Sequence, residues 1–157
     1  VGELLLAESL AGRERQLPIV AALHAERGPR PALSAAALLD AWIERDLVRA
    51  ALLHEMRHHD VLVCPVAAVP AFAHGEREWR IDGRVVGYLD AMAYTQWFNI
   101  LGNPAAVVRA GWSADGMPIG VQVVGRPFEE HVVLDVAAAI ERGCGGWVAP
   151  TLEVGPA

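Results

Sequence analysis

Lysine is missing from this 157-residue chain, because all 13 basic side chains are arginines. Hydroxyl side chains are also rare, since the sequence holds three serines and two threonines. The absence of lysine excludes Schiff-base chemistry, a phosphate-loop lysine and a Ser-Lys catalytic pair within the chain itself. The arginines are scattered and the formal net charge is −6. We therefore expect neither nucleic acid nor an anionic membrane as the main partner.

Cysteine is equally scarce, because Cys64 and Cys144 are the whole set. Two distant cysteines do not indicate a disulfide framework, so the prediction is a reducing, cytoplasmic location. Residues 1–11 carry two glutamates and no basic leader, which argues against a secretory signal. The longest uncharged run, residues 91–108, is interrupted by amides, glycine and proline. It is too polar to predict a membrane span.

Apolar residues make up 54% of the sequence, and at this length they predict one folded domain over residues 1–157. A helical lead-in is expected over 1–33, and Ser34 is a candidate N-cap for a long helix over 34–58. The order of the segments that follow predicts an α/β class. These segments are a buried strand (61–64), a hairpin (79–85), a helix (88–101), two strands (105–108 and 117–124) and a last helix (129–142).

An apolar stripe follows the predicted long helix at three- and four-residue spacing and should face the core. Its members are Leu39, Ile43, Leu47, Ala50 and Ala51.

The same helix ends in a pattern typical of zinc peptidases. His54 and His58, four residues apart, would share a zinc ion, and Glu55 would act as the general base. Glu76 or Glu78 lies at a suitable distance for a third ligand. However, His54 continues the apolar stripe, which predicts that it packs or forms a hydrogen bond at the edge of the core. We therefore expect no metal, and a zinc metallopeptidase remains an alternative.

Two amides lie in apolar surroundings. Gln122 lies within the run 119–125, whose other members are apolar or glycine, and Asn99 lies near the end of the predicted helix 88–101. A buried amide without partners costs about 1–3 kcal/mol, so both should be buried and bonded to backbone near 102–105 or 117–124. Each either ties a loop to a strand or shapes a polar pocket. Cys64, at a strand end, is expected to be buried and inert.

Two segments together resemble the C-terminal third of the amidase signature family. The first, TQWFNILGNPA at 95–105, contains the family's Thr, Asn and Gly-x-Pro-Ala. The second, DGMPIGVQVVG at 115–125, is similar to its Gly-(Leu or Met)-Pro-x-Gly-x-Gln-x-x-Gly. Weaker similarity extends over residues 34–153 and includes DVLVCP at 60–65. Arg109 departs from the family, which usually has proline there, and its charge should reach solvent or an acid.

The resemblance implies a mixed β-sheet flanked by helices and hydrolysis of carboxylic amides without metal or organic cofactor. Family chemistry uses a serine nucleophile, a second serine in a cis peptide and a lysine base, all in the N-terminal part of the family's chain. No position here matches them, so no catalytic residue is assigned. Asn99, Gly102 and Gln122 are the tentative substrate-pocket residues.

The resulting expectation is the C-terminal portion of an amidase-signature hydrolase, inactive alone and contributing sheet packing and one pocket wall. Its partners would be the missing N-terminal catalytic part, a small-molecule amide substrate in the full-length protein and possible further copies of itself. An A subunit of glutamyl-tRNA amidotransferase is an alternative within the family. A non-catalytic domain that completes a separate chain is a further alternative outside it.

Overall fold

The computed structural model describes residues 33–150, so the predicted lead-in lies outside the described residues except for Leu33. The observed order of helices and strands confirms the α/β class. The elements are α1 (Ala35–Glu55), β1 (Val61–Pro65), β2 (Glu78–Ile81), β3 (Arg84–Gly87), α2 (Tyr88–Ala91), α3 (Ala93–Leu101), β4 (Ala105–Trp112), β5 (Pro118–Gly125) and α4 (Glu130–Gly143).

The chain divides between Glu44 and Arg45, inside α1, into two compact units. Of the first unit the structure describes residues 33–44, where the Ser34 hydroxyl accepts a hydrogen bond from the backbone N–H of Ala37 at 3.1 Å. The predicted N-cap is therefore confirmed. The second unit holds every described strand and helices α2 to α4. The expectation of one domain stays a prediction.

A three-stranded sheet with the order β1-β5-β4 organises the second unit. Both pairs of strands are antiparallel, and Gln122 of β5 lies opposite Cys64 on one side and Val107 on the other. A β-bulge between Arg109 and Gly111 interrupts the register of β4 and β5. The resemblance implies a mixed sheet. Within the described residues, both strand pairs of this sheet are antiparallel.

Helix α4 covers one face of this sheet. Its apolar residues Val133 and Ala137 pack with Val123 of β5 to form the buried core, and α4 has acidic Glu130 in its first turn, as the sequence predicts. Partly buried residues surround this core: Val61, Ala106, Val108, Val136 and Ile140.

The predicted hairpin and helix end are also present. Asp82 and Gly83 both adopt positive φ angles, 48° and 78°, which the tight turn between β2 and β3 requires. The predicted helix 88–101 is broken at Met92 into α2 and α3. Gly102 ends α3 in the left-handed conformation, and its N–H donates to the Phe98 carbonyl at 2.9 Å.

Two expectations about burial are wrong. No residue of α1 is buried, and Leu47 in the middle of the predicted stripe is 66% exposed, while Leu39, Ile43, Ala50 and Ala51 are exposed as well. Strand β1 was expected to be buried on both faces, yet it is an edge strand, and Leu62 and Val63 are exposed. In each case the described residues provide no layer to cover the apolar side chains. None of the described helices is long and apolar enough to span a bilayer.

The close approach of α4 to β5 predicts the effect of a methyl group at Gly125. A Cβ there would collide with the Val133 side chain, so Gly125→Ala should lower the free energy of unfolding by about 1–3 kcal/mol in urea titrations. Gly111→Ala is the matched control, because a Cβ at Gly111 of β4 meets nothing within 4 Å. Equal unfolding midpoints for the two variants would contradict this account of the packing.

Candidate functional site

A cleft of about 410 Å³ lies where the end of α3 meets the turn between β5 and α4. Two hydrogen bonds hold these segments together: the Gly125 N–H donates to the Pro104 carbonyl at 2.9 Å, and the Asn103 Nδ2 donates to the Gly125 carbonyl at 2.8 Å. The cleft is lined by Arg49, Phe98, Asn99, Gly102, Asn103, Pro104, Pro127, Phe128 and Glu130.

The turn 126–129 forms one wall of the cleft and is fixed at both ends. The Glu129 N–H donates to the Arg126 carbonyl at 3.1 Å, and the Arg126 Nε donates to the Glu129 carboxylate at 2.7 Å. Arg126 also donates from Nη1 to the Met56 carbonyl at 2.7 Å, which ties the turn to the segment after α1. The hydrogen bond with Glu129 raises the pKa of the Arg126 guanidinium, so its charge is permanent.

Gln122 is 2% exposed, and its burial and bonding to backbone are confirmed. Its Nε2 donates to the Pro65 carbonyl at 2.9 Å and to the Tyr94 carbonyl at 3.0 Å. The partners differ from the predicted segments because the side chain of Gln122 reaches from the central strand β5 to the end of the neighbouring strand β1 and to α3. Gln122 does not line the cleft.

Asn99 was expected to be buried and is exposed, so that prediction is wrong. The last turn of α3 faces the open cleft, where no described segment covers it. Gly102 is also exposed, and both residues line the cleft. The structure therefore brings Asn99 and Gly102 together but separates them from Gln122.

The sequence alone did not single out Arg49, Asn103 or Phe128 as site residues. Arg49 lies outside the predicted apolar stripe of α1, and Phe128 follows a proline with no motif around it. Asn103 had a signal, because it lies inside the Gly-x-Pro pattern at 102–104. Its Oδ1 and the Nε of Arg49 are buried side-chain atoms without a hydrogen-bond partner.

The geometry that a zinc peptidase needs is not formed. Helix α1 ends at Glu55, so His54 and His58 are not one turn apart on a helix. The Arg57 guanidinium lies against the ring nitrogens of His54, at 2.5 Å and 2.9 Å, which is where a metal would bind. His54 is also exposed and does not lie at the edge of the core, because the stripe that it continues is itself exposed.

The proposed third zinc ligands are engaged elsewhere or open to solvent. The Glu76 carboxylate accepts a hydrogen bond from the Ala73 N–H at 3.2 Å, and Glu78 is exposed on β2. Across residues 33–150 no three metal-ligating side chains form a group that could hold an ion.

Cys64 is half-buried on β1, opposite Gln122. Burial raises the pKa of its thiol above that of an ordinary cysteine, and a hydrogen bond with the Gln122 side chain partly opposes this rise. The thiol is therefore protonated at neutral pH, which makes it a poor nucleophile. This supports the interpretation of Cys64 as inert.

Arg109 was expected to direct its charge to solvent or to an acid; the structure shows a partly exposed side chain that is bonded to backbone carbonyls. Its Nη2 donates to the carbonyls of Cys144 at 3.0 Å and Gly146 at 2.5 Å, just beyond the C-terminus of α4. The guanidinium also lies 4.7 Å from the ring centroid of Trp112. A cation at a helix C-terminus complements the partial negative charge there, so Arg109 caps α4 from the sheet.

Comparison with known proteins agrees with this fold. The sequence model of the Amidase family matches residues 14–134, and a solved structure of an amidase is 31% identical with a TM-score of 0.71. That alignment covers 86% of this chain and 30% of the solved one. The chain therefore belongs to the amidase signature family, as the segments 95–105 and 115–125 predict.

Two curated relatives have different activities in their names. The A subunit of the glutamyl-tRNA(Gln) amidotransferase of Granulibacter bethesdensis is 38% identical over 113 residues, which cover 72% of this chain and 21% of that protein. A fatty acid amide hydrolase of Medicago truncatula is 39% identical over 89 residues, which cover 55% of this chain and 14% of that protein. This chain thus spans about a fifth or less of the length of these relatives.

The two carbonyls bound by Gln122 predict its contribution to stability. Gln122→Leu removes the donor and leaves the Pro65 and Tyr94 carbonyls without it, so the free energy of unfolding should fall by about 1–3 kcal/mol. Asn99→Leu is the matched control and should change stability much less, because Asn99 is exposed. Urea unfolding checks both variants, and an equal loss in the two would count against the role of Gln122.

The raised pKa of Cys64 predicts how its alkylation depends on pH. In the Cys144→Ser variant Cys64 is the only thiol. Because a raised pKa lowers the thiolate fraction at a given pH, the midpoint of the iodoacetamide rate profile should lie at higher pH in the folded chain than in the same variant unfolded in urea. A folded midpoint at or below the unfolded one would show that burial does not control this thiol.

Proposed function

We propose that this chain is the C-terminal portion of an amidase-signature hydrolase that acts on carboxylic amide C–N bonds. It contributes the sheet β1-β5-β4 and part of the substrate pocket, and it does not hydrolyse amides alone. We propose a cytoplasmic location, which two free cysteines support.

The chain's chemistry is the main support for inactivity. Family membership implies a lysine base that activates a serine, and this chain has no lysine to take the serine proton. Ser34 acts as a helix cap, and the Ser113 hydroxyl accepts a hydrogen bond from the Met117 N–H at 3.1 Å in a turn. Neither described serine is thus arranged as a nucleophile.

Exposed apolar side chains support the proposal that further protein packs on this one. In the second unit large apolar residues are exposed on several elements, as at Leu47, Trp97 and Val107. Monomeric proteins rarely expose so much apolar surface without a partner. The N-terminal catalytic part is the proposed partner, and without it we expect copies of this chain to self-associate.

The pocket residues divide into two roles in this proposal. Asn99 and Gly102 line the cleft and would contact the substrate. Gln122 would support the pocket without contacting the substrate, because its amide holds β1 and α3 in position and does not line the cleft.

The A subunit of a glutamyl-tRNA amidotransferase is the second candidate. The longer alignment with the Granulibacter protein, 113 residues against 89 for the Medicago hydrolase, favours it. The solved amidase favours a general amidase, since its TM-score of 0.71 exceeds the 0.58 of the A subunit of the Thermotoga maritima amidotransferase. The aromatic side chains of α3 are a second argument for the general amidase.

The test of inactivity uses the purified 157-residue chain, a fluorophosphonate probe and an anilide substrate. We expect no covalent adduct by intact mass and a hydrolysis rate equal to that of buffer. Ser34→Ala and Ser113→Ala should leave both readouts unchanged. Labelling of one serine, with turnover lost on its change to alanine, would overturn the proposal.

A chimera tests the positive half of the proposal. Residues 33–150 replace the matching segment of the amidase of known structure, whose own chain supplies the rest of the enzyme. The expected result is a folded chimera that hydrolyses amides and reacts with the probe. A folded chimera without either activity would contradict the assignment.

A further inference from the structure

Arg49 brings a positive charge to the cleft that the described residues do not neutralise. The ion pairs among them are formed by Arg45 and Arg126, and Arg49 takes part in none. Its Nε is enclosed without a hydrogen-bond partner, although the side chain as a whole is only half-buried. Because Arg49 lines the cleft and forms no ion pair with a described residue, its guanidinium keeps donor capacity for an anion, and a carboxylate matches the geometry of its planar fork.

Phe128, which lines the same cleft, combines two unfavourable features. Its φ of 68° lies in the left-handed region, where a residue other than glycine is strained, and its side chain is 90% exposed. The turn has proline at its second position and Phe128 at its third, where a positive φ favours glycine. Because Arg126 and Glu129 hold the turn closed, the strain is maintained by the fold. Strain of this kind often accompanies a binding function.

The rest of the cleft suits a small molecule that is partly apolar. Phe98, Pro104 and Pro127 supply apolar walls, and Asn103 adds an amide whose Nδ2 is bonded to the Gly125 carbonyl and whose Oδ1 is buried without a partner. The volume of about 410 Å³ falls within the range of ordinary ligand sites, roughly 300–1,000 Å³. Glu130 lines the same cleft but forms no ion pair with Arg49, so the Arg49 guanidinium is not neutralised by direct pairing.

We propose that this cleft binds a ligand with a carboxylate and a hydrophobic ring, with the carboxylate on Arg49 and the ring against Phe128. One part of the inference rests on the proposed function. If the ligand of this cleft is the substrate of an amidase, the substrate class is amides that carry a free carboxylate and a hydrophobic group. Neutral ligands of the same shape bind more weakly, because they cannot form the charge-assisted hydrogen bonds to Arg49.

The test compares phenylacetate with phenylacetamide, which has nearly the same shape and no charge. Binding of each to the purified chain is measured by calorimetry and by NMR titration. We expect saturable binding of phenylacetate, about tenfold tighter than that of the amide, as a charge-assisted hydrogen bond would give. Arg49→Gln should abolish the difference, whereas Arg80→Gln, at an exposed position on β2, should preserve it.

Two substitutions at Phe128 separate binding from stability. Phe128→Gly and Phe128→Ala both remove the ring and should weaken both ligands alike. Phe128→Gly should also melt at a higher temperature than Phe128→Ala, because only glycine relieves the strained φ. Melting curves establish in the same samples that each variant is folded.

Several outcomes would overturn the proposal: no saturable binding by the folded chain, equal affinity for the two ligands, or unchanged affinity in Arg49→Gln. These binding data do not depend on hydrolysis. If the chimera is inactive while phenylacetate binds as expected, the amidase assignment fails and the carboxylate site stands. If the chimera is active and phenylacetate does not bind, the carboxylate site fails and the amidase assignment stands.

Discussion

Strand β5 is the element on which the second unit depends, because among the described strands it is paired on both edges, whereas β1 and β4 are each paired on one. Alternate side chains of a strand point to opposite faces, so Val123 and Gln122 serve different neighbours. Val123 packs under α4, while the amide of Gln122 binds the end of β1 and the backbone of α3. One short strand thus holds a helix on each side of the sheet.

The cleft is a consequence of how β5 ends. Gly125 allows α4 to pass close to the sheet, and its backbone pairs with Pro104 and Asn103 at the end of α3. The next residue, Arg126, then fixes the turn that presents Phe128 to solvent. The end of α3 and the turn 126–129 are therefore both positioned by hydrogen bonds at or next to the end of β5, from the backbone of Gly125 and from the side chains of Asn103 and Arg126.

The described residues bury few apolar side chains and expose many, and membership of the amidase signature family bears on the reason. The core around Val123 and Val133 is small, yet α1 and the edge strands carry many exposed apolar side chains. Under the proposed function the lysine base lies outside this chain, and such a surface is suited to contact with more protein. The absence of lysine and the exposed apolar side chains therefore both support the proposal that further protein packs on this chain.

Local sequence signals predicted the elements well, because each depends on neighbouring residues. Asp82-Gly83 predicts the hairpin, Ser34 the start of α1 and Gly102 the end of α3, and the spacing in 95–125 was sufficient for the family. Burial was predicted less well. Periodicity indicates which residues share a face, but whether another layer covers that face depends on other segments, as the exposed Leu47 shows.

The sequence by itself determined the element types, the family and the absence of lysine from these 157 residues, all of which follow from local preferences or composition. Only the tertiary structure decided which amide is buried, since Gln122 meets carbonyls 28 and 57 residues away while Asn99 faces an open cleft. It likewise decided that Arg109 caps a helix 35 residues downstream and that Arg49 and Phe128 face one cleft. Such contacts join residues far apart in the chain, and no pattern of neighbouring residues encodes them.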